Sequence, residues 1–433
     1  MRTLDFQGRL HIPEAPKIGT DYILSRAVVL GGLFSALSAI VYVGFGAYFS
    51  RAFGIAAYGQ FGLVANTFSA VLIATALAGF FLRHGLTSSR AAFDAAHRVL
   101  AAPLIFIAFV LACILSFSTG GDLLTVGLGF VIFFAFLFRN LPYAVLLSGE
   151  ANWVPAALNF IQVVLSLSGF WLLVACGLST FQAYSLALSV AAIASWVAAF
   201  PYVARLLREQ VDSEPGVALR LSDLTSAIVA GSAAAVMVLS DKVFISRNLG
   251  SINAAELGVY FICFDLVTKA AFVYRTFLSP LTSAIVQEDR AGNSVLRYVV
   301  LALVLNVGVT TAVCAALFLV VPRLYGFYSV HADYKWIMIE MTCFSALNGI
   351  GYAVIALCNG LGINHLLVRQ NVTSSILIVA TLACSHWLRV VSCVWLGFVI
   401  CLGQMPQLIT FSRVVREVFL RRGRAVARSM TAT

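Results

Sequence analysis

Apolar runs of roughly 18–25 residues recur along almost the whole of this chain, and each is long enough to cross about 30 Å of hydrocarbon as a helix. That feature leaves few solutions. Inside a bilayer every backbone N–H and C=O must find its partner within the protein, so a spanning segment is either a helix or a strand of a closed barrel. Alternation of period two is absent, which removes the barrel. Composition agrees, since 61% of the residues are hydrophobic and 11% charged, against about a quarter charged in a soluble globule. The expected fold class is an all-α polytopic membrane protein.

Twelve spans are expected, at 28–49, 58–82, 99–117, 123–147, 154–176 and 181–203, then 224–244, 257–285, 298–320, 334–358, 367–384 and 392–411. A polar arm over 1–27 precedes them, and a basic tail over 412–433 follows. Arg26 stands at the edge of the first run, and the first helix is expected to act as its own insertion signal. The connection 204–223 is the longest and most polar, with six spans on either side, and reads as a linker between lobes at 28–203 and 224–411. Of the 28 Lys and Arg, 20 fall on the side of the N-terminus and 6 on the other, with Lys269 and Arg275 inside span eight. The side richer in basic residues is cytoplasmic, so both termini are expected there.

The formal charge of +10 is accounted for by these flanks, and nucleic acid is not an expected partner. None of the nine cysteines forms a CxxC, and nearly all lie in apolar runs, where free Cys behaves as a small hydrophobe. The six histidines occupy loops or span edges without HExxH spacing. No GxSxG, Walker A loop or dinucleotide fingerprint is placed between a strand and a helix. No catalytic residue, metal site or cofactor is expected, and the chain reads as a non-enzyme.

An internal repeat is visible. Ser50-Arg51-Ala52-Phe53-Gly54 follows span one, and Ser246-Arg247-Asn248-Leu249-Gly250 follows span seven. Tyr58-Gly59 and Gly258-Val259-Tyr260 then open the next span in each half. Each hairpin thus has a basic turn, a helix-ending Gly and an aromatic interface anchor. Two six-span lobes of like orientation would be related by an axis along the membrane normal, with a substrate path between them.

Charge inside the spans is what remains to carry function. Counting 1.5 Å per residue from the outer ends, Arg139 lies about 24 Å deep in span four. By the same count Lys269 lies about 18 Å and Arg275 about 27 Å deep in span eight. Cations on both sides of a central cleft would form a substrate site for an anion. The bland alternatives are snorkelling of Arg139 and Arg275 to the headgroups, and a local ion pair between Asp265 and Lys269, four residues apart on one helix face. Asp265 and Glu340, about 12 and 9 Å deep, are candidate coupling or gating groups. Glu340 has the further alternatives of pairing with Lys335 or facing an outer vestibule. The spans of the first half contain no Asp or Glu at all.

The hairpin YFSRAFGIAAYGQFGLVANTFSA is similar to the opening signature of the polysaccharide-biosynthesis flippases, the Wzx-type branch of the multidrug/oligosaccharidyl-lipid/polysaccharide exporter superfamily. DKVFISRNLGSINAAELGVYFICFDL with Pro280, and Ala78-Gly79 with Arg83, resemble it too. The resemblance covers the whole chain in span count and layout. It implies a MATE-like V of two six-helix lobes, a cationic cavity and alternating access. The implied cargo is an undecaprenyl-pyrophosphate-linked oligosaccharide, moved across the bacterial inner membrane for O-antigen or exopolysaccharide synthesis. Partners would be membrane lipids and the pathway's glycan polymerase and glycosyltransferases. On this reading Arg139, Lys269 and Arg275 attract the pyrophosphate.

Three rivals stay open. A cation-coupled multidrug exporter would call for a buried acid in the first lobe. A membrane glycan polymerase or ligase would call for a large outer loop, whereas the outer connections are about 5–14 residues, the length of plain connectors. A structural scaffold for the synthesis machinery would tolerate loss of every intramembrane charge.

Overall fold

A computed structural model of the chain describes residues 26–68, 90–119, 123–139, 142–143, 146, 153–209, 221–290, 294–325 and 334–431. The first half builds α1 (Arg26–Phe53), α2 (Ile55–Thr67), α3 (Arg90–Thr119), α4 (Leu123–Phe138), α5 (Val154–Ala175) and α6 (Thr180–Glu209). The second builds α7 (Leu221–Arg247), α8 (Ala254–Arg290), α9 (Leu296–Ala315), α10 (Tyr334–Leu361), α11 (Asn364–Trp387), α12 (Cys393–Gln404) and α13 (Pro406–Thr431). No strand occurs among the described residues. Each of the twelve expected spans meets one of these helices, α12 and α13 sharing the last, while 69–82 of span two, part of span four beyond Arg139, the arm up to residue 25 and 210–220 of the expected linker lie outside the described residues. Eight helical stretches among the described residues are long and apolar enough to cross a membrane, and large apolar side chains such as Ile40, Val190, Val304 and Ile376 stand exposed on them. The chain is a multi-pass membrane protein.

Several helices outrun their expected ends, α6 running on to Glu209. The 37-residue α8 continues to Arg290. Beyond α9 the chain passes through a π turn at Ala316–Val320 and stays helical to Tyr325. Residues 412–431, expected as part of a tail, are the continuation of α13. The break before α13 falls where Pro406, which has no N–H to donate, takes the first helical position.

Helix partners reveal the repeat. In the first half α1 packs on α5, α3 on α4, α4 on α6 and α5 on α6. In the second α7 packs on α11, α9 on α10, α10 on α12 and α11 on α12, the same four pairs displaced by six helices. A six-helix unit used twice gives this pattern, and the fold is two six-helix lobes. Between the lobes α8 packs along α2 and α1, α7 touches α2 and α3, and the Val321–Tyr325 turn touches α1.

Candidate functional site

The α1–α2 and α7–α8 hairpins lie at the same end of the molecule, and there, among the described residues, the lobes come into backbone contact. Gly54, at φ 89°, lets the chain turn sharply from α1 into α2. Asn253 caps α8, its Oδ1 accepting from the N–H groups of Ala255 at 2.9 Å and Glu256 at 3.3 Å. The helices so started cross where each has a glycine: a Cβ on Gly59 would stand 2.8 Å from the Gly258 nitrogen. Backbone touches backbone at that point.

Seven residues, two turns, beyond Gly59 is Asn66, and seven beyond Gly258 is Asp265. These two positions, matched in the repeat, face each other across the lobe boundary. Asn66 Nδ2 donates to Asp265 Oδ1 at 2.7 Å, and the Tyr58 hydroxyl, also from α2, donates to Oδ2 at 2.5 Å. Asp265 is 2% exposed. Further ties cross the boundary at the same end. The Tyr325 hydroxyl donates to the Val43 carbonyl at 3.1 Å, and Arg51 Nη2 donates to the Arg323 carbonyl at 3.2 Å. Around α8 the packing then loosens. Residues 257–265 are buried on all sides, whereas Thr268, Lys269 and Ala270 are half-buried.

Lys269, one turn beyond Asp265, places its Nζ 3.7 Å from the centroid of the Tyr42 ring on α1. This cation–π contact also spans the lobes. Of the expected site residues, Asp265 and Lys269 are therefore brought together, on the seam. The partners of Asp265, however, include two from the opposite lobe, which neither the local ion pair nor the outer coupling group had supplied.

Arg139 is held elsewhere. It lies just past α4, and its guanidinium turns into the first lobe, hydrogen-bonding to Gln162 of α5 and, at 3.3 Å, to Ser195 of α6. Its Cζ sits 4.4 Å from the Phe136 ring centroid and 4.8 Å from that of Tyr143. Polar groups and aromatic faces at that depth hold the cation within the protein, where snorkelling would have sent it outward. The α8 backbone carries Arg275, whose side chain falls outside the described residues.

Glu340 belongs to the second lobe alone. It is half-buried on α10 and pressed against α12, where a Cβ on Gly397 would stand 2.2 Å from its Oε2. The Cys401 thiol lies 3.1 Å from its backbone carbonyl, and Oε2 has no hydrogen-bond partner among the described residues.

One further cation, near the outer end of expected span seven, is paired inside the protein. Lys242 is buried within α7, its Nζ donating to Asp241 Oδ2 at 2.6 Å while resting 3.9 Å from the Phe264 ring centroid. Tyr260 donates to the same oxygen at 3.0 Å. Both members of the pair are 2% exposed, so each relies on the other for compensation. Among the described residues no three His, Cys, Asp or Glu side chains converge to hold a metal ion.

No family model matches the chain, and no curated protein matches it. Solved structures do. A MATE transporter in its straight conformation is similar at 16% identity and a TM-score of 0.58, covering 92% of this chain and 96% of its own. The MATE multidrug transporter DinF-BH gives 16% and 0.57 over 95% of this chain and 99% of its own. A MOP superfamily transporter from Pyrococcus furiosus, for which reverse polarity of the binding pocket suggests a different function, gives 15% and 0.56 over 92% and 96%. At such identities the likeness is one of fold, and the fold is that of the two-lobed MATE and MOP transporters.

Proposed function

We propose that the chain is a transporter that flips a polyprenyl-pyrophosphate-linked oligosaccharide across the bacterial inner membrane by alternating access, with both termini cytoplasmic. The observation that carries this reading is Lys269, a cation on the seam between lobes, resting on the Tyr42 ring. Arg139 adds a second cation in the first lobe, and Arg275 a third further along α8. The spans of the first lobe hold no Asp or Glu to receive a cationic drug. In this scheme the pyrophosphate engages the cations, small and polar residues pass the sugars, and the lobes move against each other in alternating access. The glycan polymerase and glycosyltransferases of the pathway are the partners.

A second reading, a cation-coupled multidrug exporter, draws support from Asp265, an acid on the seam, and from the likeness to DinF-BH, a multidrug transporter. One experiment separates the two. Replacing Arg139, Lys269 and Arg275 together by Ala is expected to abolish glycan export while the chain still inserts, and cells making the wild type gain no resistance to cationic dyes. Normal export by the triple variant, or dye resistance conferred by the wild type, overturns the flippase reading.

A further inference from the structure

We propose that the carboxylate of Asp265 is the lock that keeps the two lobes closed at the hairpin end. Such a lock does not depend on the cargo; it needs only that the lobes part there during the cycle.

Of the cross-lobe hydrogen bonds at this end, those of Asp265 are the ones made to a carboxylate, and charge-assisted bonds are roughly twice as strong as neutral ones. Both oxygens are engaged by the opposite lobe, one by Tyr58 and one by Asn66, at 2.5 and 2.7 Å. The site is 2% exposed, so bulk solvent does not compete for the bonds while the lobes are closed. Lys269 follows at i+4, the favourable order for an acid and a base along a helix. Opening the end breaks both bonds together. The closed state is thereby discrete, as a switching interface needs to be.

The repeat explains why the lock is asymmetric. Asn66 and Asp265 are equivalent positions that meet, and an acid at both would set two carboxylates within hydrogen-bond distance of each other. One member has to be neutral. Asn66 supplies the amide that donates, and it is anchored in turn by its bond to the Gly62 carbonyl at 2.9 Å.

The chain carries its own reporter. Cys263 on α8 is fully buried beside this cluster, and Cys358, also fully buried, lies in the separate core of the second lobe. Full-length protein in nanodiscs is treated with a soluble maleimide, and the labelling rate of each cysteine is read by site-resolved mass spectrometry. Asn66→Asp is expected to speed labelling of Cys263 by about tenfold or more, the equivalent of losing one hydrogen bond to a charged group. The double variant N66D/D265N, which exchanges the roles across the seam, is expected to return most of the way to the wild-type rate. Tyr58→Phe, a milder change, should raise the rate severalfold. Cys358 should stay at its wild-type rate throughout. The lock is overturned if Asn66→Asp labels like the wild type, if the exchange fails to rescue it, or if Cys358 rises in parallel, which marks unfolding.

Discussion

A Cβ placed on Gly258 would stand 2.1 Å from the carbonyl oxygen of Ile55 in the opposite lobe. The atom in the way is backbone, held by α2, and cannot rotate aside. Close approach of α2 and α8 at this crossing therefore requires glycine, as it does where small residues bring membrane helices together. Without that approach Asn66 and Tyr58 would not reach Asp265.

Gly258→Ala is accordingly expected to push the hairpin ends apart. Overpacking a well-fitted contact costs about 1–3 kcal/mol, and a backbone neighbour puts this case at the upper end. Cysteine labelling at Cys263 should rise. The same substitution at Gly250, where a Cβ meets nothing within 4 Å, should leave it unchanged and serves as the control.

Arg139→Lys keeps the charge and loses the planar fork. An ammonium cannot reproduce the guanidinium's reach to Gln162 and Ser195 while staying stacked between Phe136 and Tyr143. If Arg139 serves the cargo in that fixed pose, Arg139→Lys is expected to cut export by about tenfold, the worth of a hydrogen bond to a charged group. Gln162→Leu should act in the same direction, with membrane levels of both variants unchanged. Export at the wild-type rate from both would show that only the charge matters.

The helices and the two-lobe repeat were legible in the sequence because bilayer thickness fixes span length and because the Ser-Arg-x-x-Gly turns repeat. The seam was half legible. Asp265 and Lys269 stood out as charges at depth, but Asn66 and Tyr42 are neutral residues of ordinary kind in apolar segments, and Tyr58, expected as an interface anchor, is fully buried on the seam. A signal existed: aligning Gly59 with Gly258 sets Asn66 opposite Asp265. The direction of Arg139 was not legible, since a span apolar all round has no polar face to say which side meets its neighbours. The burial of Lys242 was not legible for a related reason. A Lys beside an Asp near a span end carries no sign of being enclosed, and only packing shows Tyr260 and Phe264 closing over the pair.

That buried pair has its own test. Removing one partner of a buried ion pair strands the other and costs about 3–5 kcal/mol, whereas removing both is often close to neutral. Lys242→Met should lower the thermal midpoint of the purified protein clearly. The double variant D241N/K242M should recover most of the loss. If the double variant falls as far as the single, the pair owes its worth to Tyr260 and the surrounding packing instead of to mutual compensation.

Glu340 presents the opposite situation, a carboxylate oxygen that is buried and has no partner among the described residues. The missing side chain of Gly397 makes room for it, so its position is built in, yet the space offers no donor for Oε2. Burying an unsatisfied polar group costs about 1–3 kcal/mol, and more for a charge. Glu340→Gln removes the charge at nearly constant shape, and is expected to raise the thermal midpoint. Gly397→Ala should lower it by crowding the carboxylate, and should do so less in the Glu340→Ala background, where the crowded atoms are gone. A cation taken up at Glu340 would reverse the first result, because Glu340→Gln would then lose a partner that the carboxylate has in the working protein. Midpoints measured for both variants in sodium and in potassium buffers separate these outcomes: a sodium-dependent drop for Glu340→Gln marks a coupling site, and a salt-independent rise marks a residue tolerated at a cost in stability.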